Sequence, residues 1–407
     1  MVRVLILMSL GLTMWLSAAR ARAQADTAAI EAGVDAARRT DLRVIVLDAD
    51  GRPAEGAEVR VEQVQHAFPL GVVLPAGGHA GLVGYDPEAP LWRVFSAVSL
   101  ERLTGWGRLQ PRRGDFDWGA VPLTVDWAET FGLHIHWGGI LSADPVQQPD
   151  WAVELGDADR LDAAADYLDV VLFNYGERMA SADLYTDGLR QPWLTASGRR
   201  WLFDHTRLAA PALDLRLRFE QALEGGSAWQ MLRSVQEAEQ AFIDADGVSL
   251  DHRFLGRATP DAVEQTLLRL EGLDTQVIVS ALEIGGETSF ESAINLQRIL
   301  ERLFSQPNVH GIYLDAAVPD SATGAHTALA DATGAASPVG LAVDALFRQR
   351  WWTREAGVAD LLGNAGFRVF AGTYRITAVL PDGSELEADV AVPKSDEERV
   401  VVMEPLW

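Results

Sequence analysis

The sequence predicts an α/β fold: a (β/α)8 barrel beside a small β-module formed by the N- and C-terminal segments. Three observations carry this. Eight short apolar runs lie between Phe68 and Asp315, most of them followed by helical patterns. Strand-like alternation of apolar and polar residues marks the two ends of the chain. A length of 407 residues accommodates one large barrel and one smaller module.

Composition narrows the class. The chain is 48% hydrophobic and 23% charged, as expected of a globular protein. Its formal charge of -24 argues against nucleic acid and anionic membranes, because a phosphate-binding face needs an excess of Lys and Arg. There is no cysteine, so no disulfide frame, thiolate metal site or cysteine-linked lipid is available. No cofactor is implied. Arg3, the apolar run Val4 to Ala18 and the small-x-small triplet Ala21-Arg22-Ala23 read as a signal peptide over residues 1–23. The expected location is therefore secreted or periplasmic, without membrane insertion, since the run is too short to serve as an anchor.

Residues 24–40 read as a mobile or helical lead-in. Residues 41–66 read as a β-hairpin: Leu42 to Leu47 and Ala57 to Glu62 alternate around the turn residues Asp50-Gly51. The barrel is assigned to 67–353. Its strand candidates are Phe68–Val73, Ala97–Leu103, Leu133–Leu141, Ala180–Tyr185, Asp214–Phe219, Gly247–Asp251, Val277–Ile284 and Gly311–Asp315. Residues 354–407 supply further strands at Tyr374–Leu380, Val390–Val392 and Val400–Met403. An isolated hairpin is barely stable in water, so both ends are expected to pair into one module.

The segment Gln276–Ile284 is a buried-strand pattern, apolar and β-branched, closed by Gly285-Gly286. Its Ser280-Ala281-Leu282-Glu283 resembles the seventh-strand T-E-L-D signature of glycoside hydrolase family ten, the xylanase family. The likeness runs from about Phe68 to Trp352. Trp106, Pro111, Gly114 and Phe116 match a "KWE…EP..G.F.F" stretch, although Gly105 and Gly107 replace the flanking Lys and Glu. Gly132 to Ser142 is similar to the third-strand signature, with Gly138 at the family His and Ser142 at the family Trp. Ala182-Asp183-Leu184-Tyr185-Thr186-Asp187 is similar to "W-D-V-V-N-E", so Thr186 replaces Asn and Asp187 replaces the acid/base Glu. Asp251-His252-Arg253 falls on the sixth-strand "Q-x-H", and Leu314 on the eighth-strand Trp.

The resemblance implies a retaining glycosidase site with two carboxyl groups about 5–5.5 Å apart. Ala281 occupies the nucleophile position and cannot form the covalent intermediate. Asp187, at the acid/base position, is one methylene shorter than Glu, and a displacement of about 1 Å in such a site costs on the order of a hundredfold in rate. The expected protein is a catalytically degenerate binder of polysaccharide or oligosaccharide, or a scaffold. The alternative is an active hydrolase of a β-linked, xylan-like polysaccharide. Glu283, two residues beyond Ala281 and on the same strand face, would then act with Asp187 across about 6.5–9.5 Å. A metal-dependent hydrolase is a lesser alternative, raised by the H-x-H pair His134 and His136 with His252 and Asp315 at other strand ends. No metal ligand set is assigned. Trp106, Trp137 and Thr186 are the expected ligand contacts; among the 13 tryptophans, Trp151 and Trp193 also fall near strand ends. Glu220, Glu287 and Asp315 read as solvated surface carboxylates.

Overall fold

The computed structural model describes residues 24–82, 91–187, 193–220, 227–254, 265–266, 268, 275–315, 326–331 and 333–405. The segment read as a signal peptide lies outside them. Residues 24–38 are helical, which resolves the lead-in, and Ile30 and Val34 on this helix are buried. Its last residue, Arg38, donates to the carbonyls of Phe304 (2.8 Å) and Val309 (2.7 Å), fastening the lead-in to the barrel.

Eight parallel strands close the barrel. They are β3 (Leu70–Val73), β4 (Ala97–Ser99), β5 (His134–Trp137), β7 (Ser181–Asp187), β8 (Asp214–Glu220), β9 (Gly247–Phe254), β10 (Gln276–Ile284) and β11 (Val309–Leu314). Each pairs with the next, and β11 pairs back with β3. The predicted third strand splits at Gly138-Gly139, where Gly139 has φ +61, into β5 and a short β6 (Leu141–Ser142) that pairs with β7.

Apolar stripes at helical spacing set the outer layer. On Ser289–Ser305, Leu296, Ile299, Leu300, Leu303 and Phe304 are buried, and Thr288 caps the N-terminus by accepting from the Glu291 amide. Other helices are Val121–Thr130, Asp157–Tyr175, Ala196–Ala209 and Ser227–Gln240. The connection from β3 to β4 differs. Among its described residues it holds only two short 3-10 turns, Gly78–Gly81 and Trp92–Val94.

The ends form two packed sheets rather than a hairpin. β1 (Arg39–Val46) lies between β13 (Asn364–Phe370) and β16 (Arg399–Met403). β2 (Glu58–His66) lies in the other sheet, between β12 (Arg354–Val358) and β14 (Gly372–Val379), with β15 (Glu385–Val392) beyond β14. The expected pairing of residues 41–66 with themselves is thus corrected: β1 and β2 face each other across a core. Leu42, Val44 and Val46 meet Val59, Val61, Tyr374 and Ile376 there. Alternation fixes which face each strand buries, but facing sheets satisfy it as well as a hairpin does.

Candidate functional site at the barrel mouth

Chemistry in such a barrel belongs at the C-terminal ends of the strands. Side chains two apart on a strand share a face, and here the inward positions carry charge. Arg216 and Arg218 lie on β8, Asp251 and Arg253 on β9, Asp183 on β7, Glu101 just past β4 and Asp315 just past β11. Arg218, only 3% exposed, reaches Glu101 (2.7 Å) and Asp251 (2.6 Å), with Asp183 at 3.6 Å. Arg253 reaches the same Glu101 (2.8 Å) and Asp251 (2.6 Å), and also Asp315 (2.5 Å). Arg102 closes on the other oxygen of Asp315 at 2.9 Å. Below this lattice His136 accepts or donates between Ser181 Oγ (2.8 Å) and Asp183 Oδ2 (3.2 Å).

The electrostatics follow. Burial would raise the Glu101 carboxyl, but the Arg218 and Arg253 charges outweigh it and hold the group down at about 2. Burial likewise works against Asp183, and His136 and Arg218 keep it below the usual carboxylate range. The Arg218 guanidinium loses hydration through burial, yet Glu101, Asp251 and Asp183 lift it well above its ordinary value. Glu101 and Asp183 are thus biased to their charged forms by partners of opposite sign, whereas burial raises the Asp251 carboxyl against the opposing Arg218 and Arg253 charges.

Glu283 stands apart. It is 1% exposed; Thr327 Oγ1 donates to its Oε1 at 2.8 Å, while Oε2 has no hydrogen-bond partner among the described residues. Burial pushes its carboxyl up to about 7, with the negative charge of Asp315 adding to the rise against Thr327, Arg253 and Arg102. Its folded pKa exceeds the unfolded value of 4.5, so between these the folded state holds a proton that the unfolded state has lost. Stability contributed here therefore falls as pH rises from about 4.5 to 7. Glu283→Gln is expected to remove that slope. Its stability relative to the parent should improve by about 2–3 kcal/mol between pH 4.5 and pH 8, read by urea denaturation at both pH values. A pH-independent difference would sink this account of Glu283.

The other expected positions are distributed unevenly. Ala281 is fully buried on β10, packed with Val73, Ala97, Ile278 and Tyr313. The backbone of Asp187 ends β7 opposite Phe219, but its side chain lies outside the described residues. Thr186 is 2% exposed and lines a cleft of about 540 Å³ at the mouth, with Glu101, Arg102, Arg218, Glu220 and Arg253. Trp106 and Trp137 were expected as ligand platforms and are instead core residues, 1% and 0% exposed. Trp106 stacks on Tyr167 and donates to Gln110 Oε1, and Trp137 packs on Tyr175. Trp151 and Trp193 are half-buried, and their indole N–H groups donate to the carbonyls of Gln110 and Ser142. Among the described residues no aromatic side chain lines the cleft. Asp315, read as a surface carboxylate, is buried and doubly paired. Glu220 borders the cleft, and Glu287 is exposed.

Side-chain space has been filled as well. A Cβ added at Gly138 would stand 2.9 Å from the Cβ of Glu101, and one at Gly107 would meet the Gln147 carbonyl at 2.9 Å. The positions that the resemblance assigns to the family His and Glu are therefore crowded by Glu101 and by the 145–148 loop. Among the described residues no three His, Cys, Asp or Glu side chains are arranged to hold a metal ion. His136, half of the H-x-H pair, is engaged with Ser181 and Asp183.

Sequence reading passed over the ion lattice. Its signal was present as charges at alternate positions inside runs that a parallel barrel should keep apolar, in Asp214-Leu215-Arg216-Leu217-Arg218 and Ser249-Leu250-Asp251-His252-Arg253.

A closed eight-stranded parallel barrel with its charged side chains converging at the C-terminal mouth is a (β/α)8 barrel in architecture. The model of glycosyl hydrolase family 10 matches residues 63–317, and the chain belongs to that family. Solved structures with the same fold include native xylanase 10C from Cellvibrio japonicus, with a TM-score of 0.58 and 14% identity over 69% of this chain and 71% of that one. Native xylanase 10B from Thermotoga maritima superposes with a TM-score of 0.58 and 14% identity, over 70% of this chain and 96% of that one. A curated relative, anti-sigma-I factor RsgI6 of Acetivibrio thermocellus, is 21% identical over 361 residues. The aligned region is 84% of this chain but only 45% of that protein, so the chain spans less than half the relative's length.

Proposed function

We propose that this chain is an exported family 10 barrel that has exchanged hydrolysis for binding, with a polysaccharide or oligosaccharide as ligand at the barrel mouth. One observation carries the reading: Glu101, Asp251 and Asp315 are each held by arginine, while the nucleophile position is an alanine in apolar packing. Retaining hydrolysis needs one carboxylate free to attack and one proton to give. Closure of Gly107 and Gly138 to side chains supports the same reading. So does the relative whose name is regulatory, which carries similarity to this chain in less than half its length. Export rests on residues 1–23.

The reading by relocated carboxylates retains one supporting observation. A carboxyl pushed up to about 7 is poised for proton transfer near neutral pH, and Glu283 is such a group. One experiment separates the two: reducing-end release from xylan and mixed-linkage glucan by the mature protein, beside Asp187→Ala and Glu283→Ala. The expected result is no turnover above the variants, together with retention on insoluble xylan in a pull-down. Turnover abolished by both substitutions would establish the relocated pair. Absence of both turnover and retention would leave a scaffold.

A further inference from the structure

The outer faces of β3 and β4 are not covered by a helix among the described residues of their connection, and a groove of about 510 Å³ opens there. Val72 and Val98 lie in its lining, and Glu62 to Gln65 of β2 in the terminal module form one wall. Its size is that of a small-molecule site. The rings of Trp92, Phe95, Trp127 and Trp352 line it, giving flat apolar walls. Phe131, also a lining residue, is 42% exposed.

Among the described residues the lining holds Arg93, Arg348, which pairs with Asp344 at 3.9 Å, and Arg354, with Glu62 as its carboxylate opposite Arg354 across the β12–β2 pairing. Arg354 sits on the exposed edge strand β12 and makes no ion pair within 4 Å among the described residues. An exposed arginine without an ion pair beside aromatic walls favours an anionic headgroup over a neutral one. Arginine in particular offers a planar fork that matches a carboxylate.

We propose that this groove, remote from the barrel mouth, is a binding site for a flat aromatic or alicyclic carboxylate. Its body lies against the tryptophan rings, and its acid group points to Arg354. This site is independent of any sugar bound at the mouth and of whether the chain hydrolyses glycans.

Calorimetric titration of the full chain with 2-naphthoate and with the neutral 2-naphthalenemethanol tests it. The acid is expected to bind at least tenfold more tightly than the alcohol. Arg354→Met, on an exposed position, should erase that preference while leaving the alcohol's affinity and the melting temperature unchanged. Trp127→Ala should weaken both probes. No saturable heat with either probe, equal affinities for the two, or a preference that survives Arg354→Met would overturn the assignment.

Discussion

Glutamate placed at position 281, which the resemblance assigns to the nucleophile, is expected to damage this protein rather than make it hydrolytic. Ala281 is fully buried among Val73, Ala97, Ile278 and Tyr313, where the Tyr313 hydroxyl, already engaged with Ser181, is the one group that could donate to a carboxylate and none carries a positive charge. A carboxyl placed in such surroundings has its pKa raised by about 3–5 units, equivalent to roughly 4–7 kcal/mol of lost stability above neutral pH. The added volume also crowds a filled layer, at about 1–3 kcal/mol. Ala281→Glu should therefore melt far below the parent at pH 8, regain part of the loss at pH 5 where the new group is neutral, and release no reducing ends at either pH. Thermal denaturation at the two pH values reads the first two outcomes. A stable Ala281→Glu protein that hydrolyses xylan would mean that one substitution separates this chain from an active enzyme.

The second large effect belongs to Arg218. Its guanidinium is shared by Glu101 and Asp251 and lies near Asp183, and all four side chains are largely removed from water. A buried ion pair contributes little net stability against an apolar replacement of both partners, but removing one partner alone strands the other. Arg218→Met is thus expected to cost about 3–5 kcal/mol in urea denaturation, because three carboxylates lose their common counter-charge. Adding Asp251→Asn to Arg218→Met should recover part of that loss, since one stranded charge is then removed. If the double variant is no more stable than Arg218→Met alone, the lattice is not the reason for the loss.

Much of the fold was legible in the chain. All eight barrel strands were placed, because a parallel strand buried on both faces must be an apolar run bounded by turns. The third strand was read through its Gly138-Gly139 break, since a left-handed glycine between two short apolar stretches leaves no mark on hydrophobic pattern. β12 and β13 went unread; Arg354-Glu355-Ala356-Gly357-Val358 is largely exposed and alternates weakly. Ala281, which the resemblance sets at the nucleophile position, was legible as a single letter, and the structure buries it on β10.

The sequence by itself determined the architecture, the family resemblance and the residues standing at the catalytic positions, because these follow from local pattern and from residue identity. Tertiary structure alone decided what those positions do. Trp106 and Trp137 became core because adjacent helices and strands cover both ring faces, and no sequence spacing states which face of an aromatic ring stays open. The pairing of Glu101 with Arg218, across 117 residues, and with Arg253, across 152, exists only because barrel closure brings the C-terminal ends of β4, β8 and β9 to one mouth. Charge at short range acts through distance in space, and that distance is set by the closed sheet rather than by the order of the residues along the chain.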